Sequence, residues 1–244
     1  MFFFTKKDKS NLDLSWVHAD MHSHLIPGID DGSQDDETSL TLIKGLANLG
    51  YKKLITTPHV LSEMYPNTSD TILKGLEQLT SICKNENISI ELKAAAEYFI
   101  DEFFEEELRN KKQFLTISGN MVLVEFSMIT APMDLQQILF EMQIQNYQPV
   151  IAHPERYIYL SRNKEFYEEL KNSGCQFQLN LLSLTGYYGD SVQELAEYLI
   201  RKNLYDYAGT DLHNSRQLSL FQKLSSSVAL KKLKESGMIK NHLL

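Results

Sequence analysis

The chain has 244 residues, 43% hydrophobic and 23% charged, which suits one large soluble domain with an ample core. Its formal net charge is −8. With no basic stripe to meet phosphates, nucleic-acid binding is disfavoured, and no apolar run approaches the ~20 residues of a membrane span.

Short β-rich runs alternate with helical patterns along the whole chain. Residues 1–15 form an N-terminal arm. Its apolar Met1 to Phe4 is too short for a signal-peptide core and is followed at once by Lys6, Lys7 and Lys9. A strand is expected over 17–21, then a helix over 37–49 closed by Gly50 at its C-terminal cap. The next strand, 53–57, leads into Pro58 and His59. The helix over 69–84 carries Leu73, Leu76 and Leu79, spaced for one buried face. A strand over 89–95 runs toward Glu97, and one over 121–124 ends at Glu125. A helix over 135–145 precedes a strand over 149–152 that ends at His153. Further on come a strand over 176–180, a helix over 191–202, and a strand over 205–208 that leads to Asp211 and His213. Residues 225–244 form a C-terminal helical extension whose Lys231, Lys232 and Lys234, like the basic N-terminal run, read as a solvated end. There is no repeat, low-complexity tract or linker, so one domain over 1–244 is expected. Alternating strands and helices imply a parallel sheet, and this many units imply a closed or nearly closed barrel.

The chemistry-bearing residues fall at or just past strand ends, the edge at which a (β/α) barrel gathers its catalytic groups. Of seven histidines, His18 and His242 need no role. The others, His22, His24, His59, His153 and His213, stand at strand ends. Asp20-x-His22-x-His24 points two imidazoles to one side, since side chains of a strand alternate. Asp30 reads as a turn or helix-cap residue, Asp31 as a ligand. Adding Glu97, Glu125 and Asp211 gives nine candidates, too many for one tetrahedral ion, which takes three or four. They suit two or three ions, and N/O donors without thiolate suit Mn, Fe or Zn. Cys83 and Cys175 read as free thiols in a reducing, cytoplasmic setting.

Cysteine-based, aspartyl-phosphate and P-loop phosphoryl chemistries are disfavoured. Neither cysteine has an arginine six residues on, no Asp-x-Asp occurs, and there is no P-loop. Arg156 and Arg216, each within three residues of a candidate ligand, are the expected phosphate grips, because guanidinium forks match phosphate geometry. The nucleophile expected is a metal-bound hydroxide bridging two ions. At and after the end of the strand over 176–180, Asn180 could face the site and Tyr187 or Tyr188 could line a groove beside it, but core packing with turn chemistry is the expectation for them. The acidic run Glu102 to Glu107 reads as a solvated helix face.

Together these segments resemble the PHP (polymerase and histidinol phosphatase) superfamily, and within it the bacterial capsule-type (CpsB/CapC-like), manganese-dependent protein-tyrosine phosphatases. The matching residues are Asp20 through Gly32, Thr57 to His59, Ala96 and Glu97, Val124 and Glu125, Ala152 to Arg156, and Gly209 to His213. The resemblance implies a distorted (β/α)7, TIM-like barrel holding three Mn²⁺. His22, His24, Glu97 and Asp211 would hold the first ion. Glu97 would bridge to a second bound by Glu125 and His153, and Asp31, His59 and His213 would hold the third. Asn214 stands where relatives often carry histidine. Asp20 would orient a histidine without binding metal. The implied activity is hydrolysis of phosphotyrosine on a protein, such as a bacterial tyrosine kinase of polysaccharide export. A small-molecule phosphatase such as a histidinol-phosphate phosphatase is the enzyme alternative, and a non-catalytic kinase-binding regulator the alternative of another class. The sequence is compatible with a homo-oligomer.

Overall fold

The computed structural model describes residues 12–244, so the apolar Met1 to Phe4 and the basic Lys6 to Lys9 lie outside the described residues. The elements are β1 (Ala19–Asp20), α1 (Asp36–Asn48), β2 (Lys53–Thr56), β3 (His59–Val60), α2 (Ser69–Asn85), β4 (Glu91–Ala94), β5 (Glu97–Phe99), α3 (Glu102–Arg109), β6 (Met121–Glu125), α4 (Leu135–Ile144), β7 (Gln148–Ala152), α5 (Glu165–Asn172), β8 (Gln176–Asn180), α6 (Asp190–Arg201), β9 (Tyr207–Gly209), α7 (Ser215–Leu220) and α8 (Val228–Ser236). Each predicted strand and helix is found within a few residues, although the first strand is shorter than its 17–21 expectation.

All strand pairings are parallel. They form one sheet in the order β1-β2-β4 and a second in the order β3-β5-β6-β7-β8-β9. The two are one wall with a fault in it. Pro58 has no N–H to give to a ladder, and it parts β2 from β3. Across the fault the wall is kept by Ala95 N–H donating to the Thr56 carbonyl at 2.9 Å and Glu97 N–H to the Pro58 carbonyl at 3.1 Å. Counting β2–β3 and β4–β5 as single bent strands gives the seven staves of the expected distorted (β/α)7 barrel. The ends of the sheet meet where Ser23 bridges Leu212. There His24 N–H donates to the Leu212 carbonyl at 3.0 Å and Asp211 N–H to the His22 carbonyl at 2.7 Å.

Strand alternation sorts the core into two. Leu54, Val122, Val124, Ile151, Phe177, Leu179 and Ala208 pack outward with the apolar faces of the helices. Met21, Ile55, Ala95, Leu123, Val150, Ala152 and Tyr207 form a separate inner cluster, which is the filling of the barrel. The polar residues that follow them along the strands stand on this apolar floor. At its lower seam the C-terminal segment is tied in by Asn241. Its amide accepts from Ala208 N–H at 2.9 Å and donates to the carbonyls of Ala19 and Ala208.

One helix face differs from expectation. On α2 the buried positions are Ile72, Gly75, Leu79 and Cys83, while Leu73 is 42% exposed. The stripe is centred one residue earlier because Gly75 lies against Ile26, where an added Cβ would stand 2.4 Å from its Cγ2. The acidic segment forms α3, with Glu102 and Glu106 exposed as expected. Cys83 and Cys175 are free and buried.

Candidate metal centre

The expected ligands converge at the C-terminal mouth of the barrel. His22 and His24 follow β1, and Asp31 lies in the loop after them. His59 opens β3, Glu97 opens β5 and Glu125 ends β6. His153 follows β7, and Asp211 and His213 follow β9. His153 and Asp211 take left-handed backbone, with φ of 32° and 50°. That conformation costs a side-chain-bearing residue roughly 1–2 kcal/mol and turns each strand end at the cluster.

Glu97 is the centre. It is fully buried, and its Oε2 has no hydrogen-bond partner among the described residues. Around that oxygen stand His22 Nε2 at 3.1 Å, His59 Nδ1 at 3.1 Å and His24 Nε2 at 3.6 Å. Its other oxygen lies 3.1 Å from His153 Nε2. Asp211 Oδ1 faces His22 at 3.3 Å, His24 at 3.4 Å and His213 at 3.5 Å. Glu125 lies 3.1 Å from His59 and 3.7 Å from His153. Asp31 lies 3.4 Å from His59 and 3.5 Å from His213.

Three groupings have ligand atoms close enough to share an ion: His22, His24, Glu97 and Asp211; His59, Glu97 and Glu125; and His24, Asp31, His59 and His213. The first coincides with the set implied for the first ion. The second has His59 beside the Glu97–Glu125 pair where His153 was expected, because the two ring nitrogens of His59 face acids on opposite sides. The third adds His24 to the expected trio.

Charge explains why this set suits cations. Burial opposes ionising Glu97, yet His22 and His59 hold its carboxyl well below the usual range. Burial likewise opposes ionising Asp211, and His22 and His213 outweigh it. Hydrogen bonds from His213 and His59 lower Asp31. The imidazoles move the other way. Burial disfavours charged His24, but Asp30 and Asp211 raise it to about 10; burial disfavours charged His59, but Glu97, Asp31 and Glu125 raise it to about 12. Ionised carboxylates that draw protons onto His22, His24 and His59 form a donor set that a divalent cation satisfies by displacing those protons. The residues therefore fit a metal cluster.

The ring orientations are fixed from behind. His22 Nδ1 meets Gln178 Oε1 at 2.8 Å, His24 Nδ1 meets Asp30 Oδ2 at 2.7 Å, and His213 Nδ1 meets the Asp211 carbonyl at 2.9 Å. In each case the outer nitrogen carries the proton and Nε2 is left to face the cluster. Asp30 corrects the sequence reading. Its Oδ1 does accept from Gly32 N–H at 2.9 Å, as a turn residue would, but its Oδ2 holds His24 and also accepts from His59 N–H at 3.2 Å. The helix cap is Asp35. Asp20 is corrected too. It touches no imidazole, and accepts from the N–H and hydroxyl of Thr210 at 2.8 and 2.6 Å, which ties β1 to β9. Gln178 went unrecognised, although its signal was present: Gln176, Gln178 and Asn180 alternate with outward Phe177 and Leu179, and a polar inward row is unusual in a barrel strand.

The two arginines part company. Arg156 lines the cleft over the cluster, with Asp31, His59, Glu125, Tyr187, Tyr188, Asp211, His213, Asn214 and Gln217, around a volume of about 240 Å³. It donates to Asp211 Oδ2 at 3.0 Å. Arg216, in the first turn of α7, is exposed and does not line the cleft, because the helix turns it away from His213. Asn180, Tyr187 and Tyr188, expected in core packing, face the cleft or the cluster.

Barrel and cluster together define a PHP-type barrel with several metal-site candidates at its mouth. Residues 18–239 match the model of the CpsB/CapC family of capsular polysaccharide synthesis, and the chain belongs to that family. It is 29% identical over 196 residues to the tyrosine-protein phosphatase YwqE of Bacillus subtilis, across 80% of this chain and 77% of that one. It is 28% identical over 203 residues to the tyrosine-protein phosphatase CpsB of Streptococcus pneumoniae, across 80% and 82%. A solved structure from work on YwqE and CpsB, described there as unique metal-dependent tyrosine phosphatases, superposes with a TM-score of 0.80 at 26% identity. It covers 91% of this chain and 89% of that one. These homologues are metal-dependent tyrosine-protein phosphatases. Among the described residues no helix is long and apolar enough to cross a membrane.

Proposed function

We propose that this chain is a metal-dependent phosphomonoesterase that hydrolyses phosphotyrosine on protein, with Mn²⁺ as its metal. The observation that carries the reading is the buried Glu97 oxygen, unpartnered among imidazole nitrogens directly below an arginine-lined cleft. His22, His24, Asp31, His59, Glu97, Glu125, His153, Asp211 and His213 would hold the ions. When bound, divalent metals make water acidic enough to supply a nucleophile near neutral pH and screen the charge that develops on phosphoryl oxygens. Gln178 and Asp30 keep the imidazoles in the binding tautomer. Arg156 offers the N–H groups not spent on Asp211 to a phosphate in the cleft. The aryl oxygen of tyrosine, with a pKa near ~10, leaves with less protonic help than an alkyl oxygen.

The surroundings favour a protein substrate. Asp31 in the cleft has a side chain 54% exposed, so the site opens outward. Met64, Ile129, Met133, Ile158 and Tyr187, on loops that follow β3, β6, β7 and β8, expose apolar surface at the same end of the barrel. A closed pocket for a small phosphate ester would bury such groups. A tyrosine kinase of polysaccharide export is the substrate that fits the family's part in capsule synthesis, and the reduced, buried cysteines fit a cytoplasmic site of action.

The test is metal-loaded protein assayed on a tyrosine phosphopeptide and on histidinol phosphate, with His153→Ala and Asp211→Ala alongside. Turnover of the phosphopeptide that both substitutions abolish is expected. Preference for histidinol phosphate would replace the protein substrate with a small molecule, and hydrolysis of neither would leave a non-catalytic regulator.

A further inference from the structure

Tyr188 stands at the cleft with a hydroxyl proton that no group among the described residues uses, and Asn180 is the reason. The Asn180 Oδ1 accepts from Leu182 N–H at 3.0 Å, which fixes the amide so that its NH₂ turns toward the cluster. That nitrogen donates to Asp211 Oδ2 at 2.7 Å and to the Tyr188 hydroxyl oxygen at 3.1 Å. An amide nitrogen has no acceptor capacity, so Tyr188 is the acceptor in this contact. Its own O–H is left for a partner in the cleft that the ring lines. The Arg156 guanidinium lies over the same ring, 4.6 Å from its centroid. The base of the arrangement is rigid. The buried Glu155 carboxylate accepts from Asn180 N–H at 2.9 Å, from Ser183 at 2.7 Å and from Tyr205 at 2.9 Å.

We propose that Tyr188 is a substrate-contacting catalytic residue whose hydroxyl donates to a phosphoryl oxygen, beside Arg156 in the cleft over the metal cluster. Asn180 is its positioning residue. The inference rests on the phosphatase reading above and adds to it a neutral donor for the phosphate beside the Arg156 guanidinium. Burial pushes the Tyr188 phenol above its ordinary range, so it is protonated at neutral pH and the donor needs no titration to act.

Tyr188→Phe isolates the hydroxyl, because the ring stays beneath Arg156. The measurements, on metal-loaded wild type and variant, are the Kd of inorganic phosphate by calorimetry, kcat/KM on aryl phosphates spanning a range of leaving-group pKa, and the melting temperature. A hydrogen bond to a charged group is the interaction removed, so phosphate should bind about ten- to a hundredfold more weakly. The loss in kcat/KM should be even across leaving groups, with melting unchanged. Wild-type phosphate affinity together with wild-type kcat/KM overturns the inference. A loss that grows steeply with leaving-group pKa overturns the phosphoryl contact in favour of protonation of the leaving oxygen. A lowered melting temperature with reduced metal content, and unchanged phosphate affinity per loaded site, overturns it in favour of a structural role. Failure of the wild type to hydrolyse any aryl phosphate would sink the phosphatase reading instead, and the phosphate titration would still decide on Tyr188.

Discussion

Removing the Asp30 side chain should cripple metal binding without removing any candidate ligand. Asp30 is 7% exposed and accepts from His24 Nδ1 at 2.7 Å, Gly32 N–H at 2.9 Å and His59 N–H at 3.2 Å. Asp30→Ala leaves these buried donors unmatched, at a cost of roughly 1–3 kcal/mol for each orphaned group, less whatever relaxation and water recover. A net loss of about 2–5 kcal/mol in stability is expected. The effect on metal is separate. Without Asp30 the His24 ring loses the partner that fixes its tautomer and raises the basicity of Nε2, a change that typically costs 10–100-fold in metal affinity. Asp30→Asn keeps the size and can still accept from Gly32, but it sets an N–H against His24 and His59. It should lose nearly as much metal affinity and less stability. Calorimetric titration of chelator-stripped protein with Mn²⁺ reads the affinity, and melting followed by circular dichroism reads the stability. Folded Asp30→Ala with the wild-type Mn²⁺ affinity and stoichiometry would refute the reasoning, and Asp30 would revert to the turn residue that its sequence suggests.

Gln178→Leu should weaken metal binding by a similar 10–100-fold, since it removes the acceptor for His22 Nδ1. Gln178→Glu, which restores an acceptor, should recover most of the affinity in the same titration. In Gly32→Ala the new Cβ would lie 2.3 Å from His24 Cβ and 2.5 Å from its carbonyl oxygen. Backbone must move to admit it, so melting should fall by several degrees and a wild-type melting curve would contradict the packing. Chelation should lower the melting temperature, because an ion at a hundred times its Kd contributes about 2.7 kcal/mol; equal melting with and without metal would show that the cluster binds none. On α2, Leu79→Ala should cost about 2–5 kcal/mol, whereas Leu73→Lys should stay within roughly 0.5 kcal/mol, as chemical denaturation would report.

The candidate ligands were legible because their signal is local. All but Asp31 stand at or just past the end of a predicted apolar run, and such ends of a parallel barrel share one edge. What supports them was hidden because it depends on pairing between distant strands. Gln178 reaches His22 only once β8 lies beside β9 and β9 beside β1. Asp30 looked like a turn because one of its oxygens does make the turn, while the oxygen that holds His24 depends on how the loop folds back over β1. Arg216 shows the opposite error, since closeness in sequence to His213 does not survive one turn of helix. Tyr188 was undervalued because nothing local distinguishes a tyrosine in a turn from one whose hydroxyl is set by an amide across the barrel mouth. The misplaced face of α2 came from counting leucines, when a glycine pressed against Ile26 marks the buried side.

The seam between β1 and β9 has a consequence for biosynthesis. Asp20 and Thr210 are separated by 190 positions, and His22 and His24 sit on one side of the seam with Asp211 and His213 on the other. At translation rates of about 5–20 residues per second, the first strand waits roughly 10–40 s for its neighbour. Asn241, which laces the two strands together from below, is made later still. Until then a nascent chain presents β1 with one edge open and offers incoming metal a cluster that lacks Asp211 and His213. Completion of the cluster should thus be a late event in the maturation of this barrel, coupled to the meeting of its two ends.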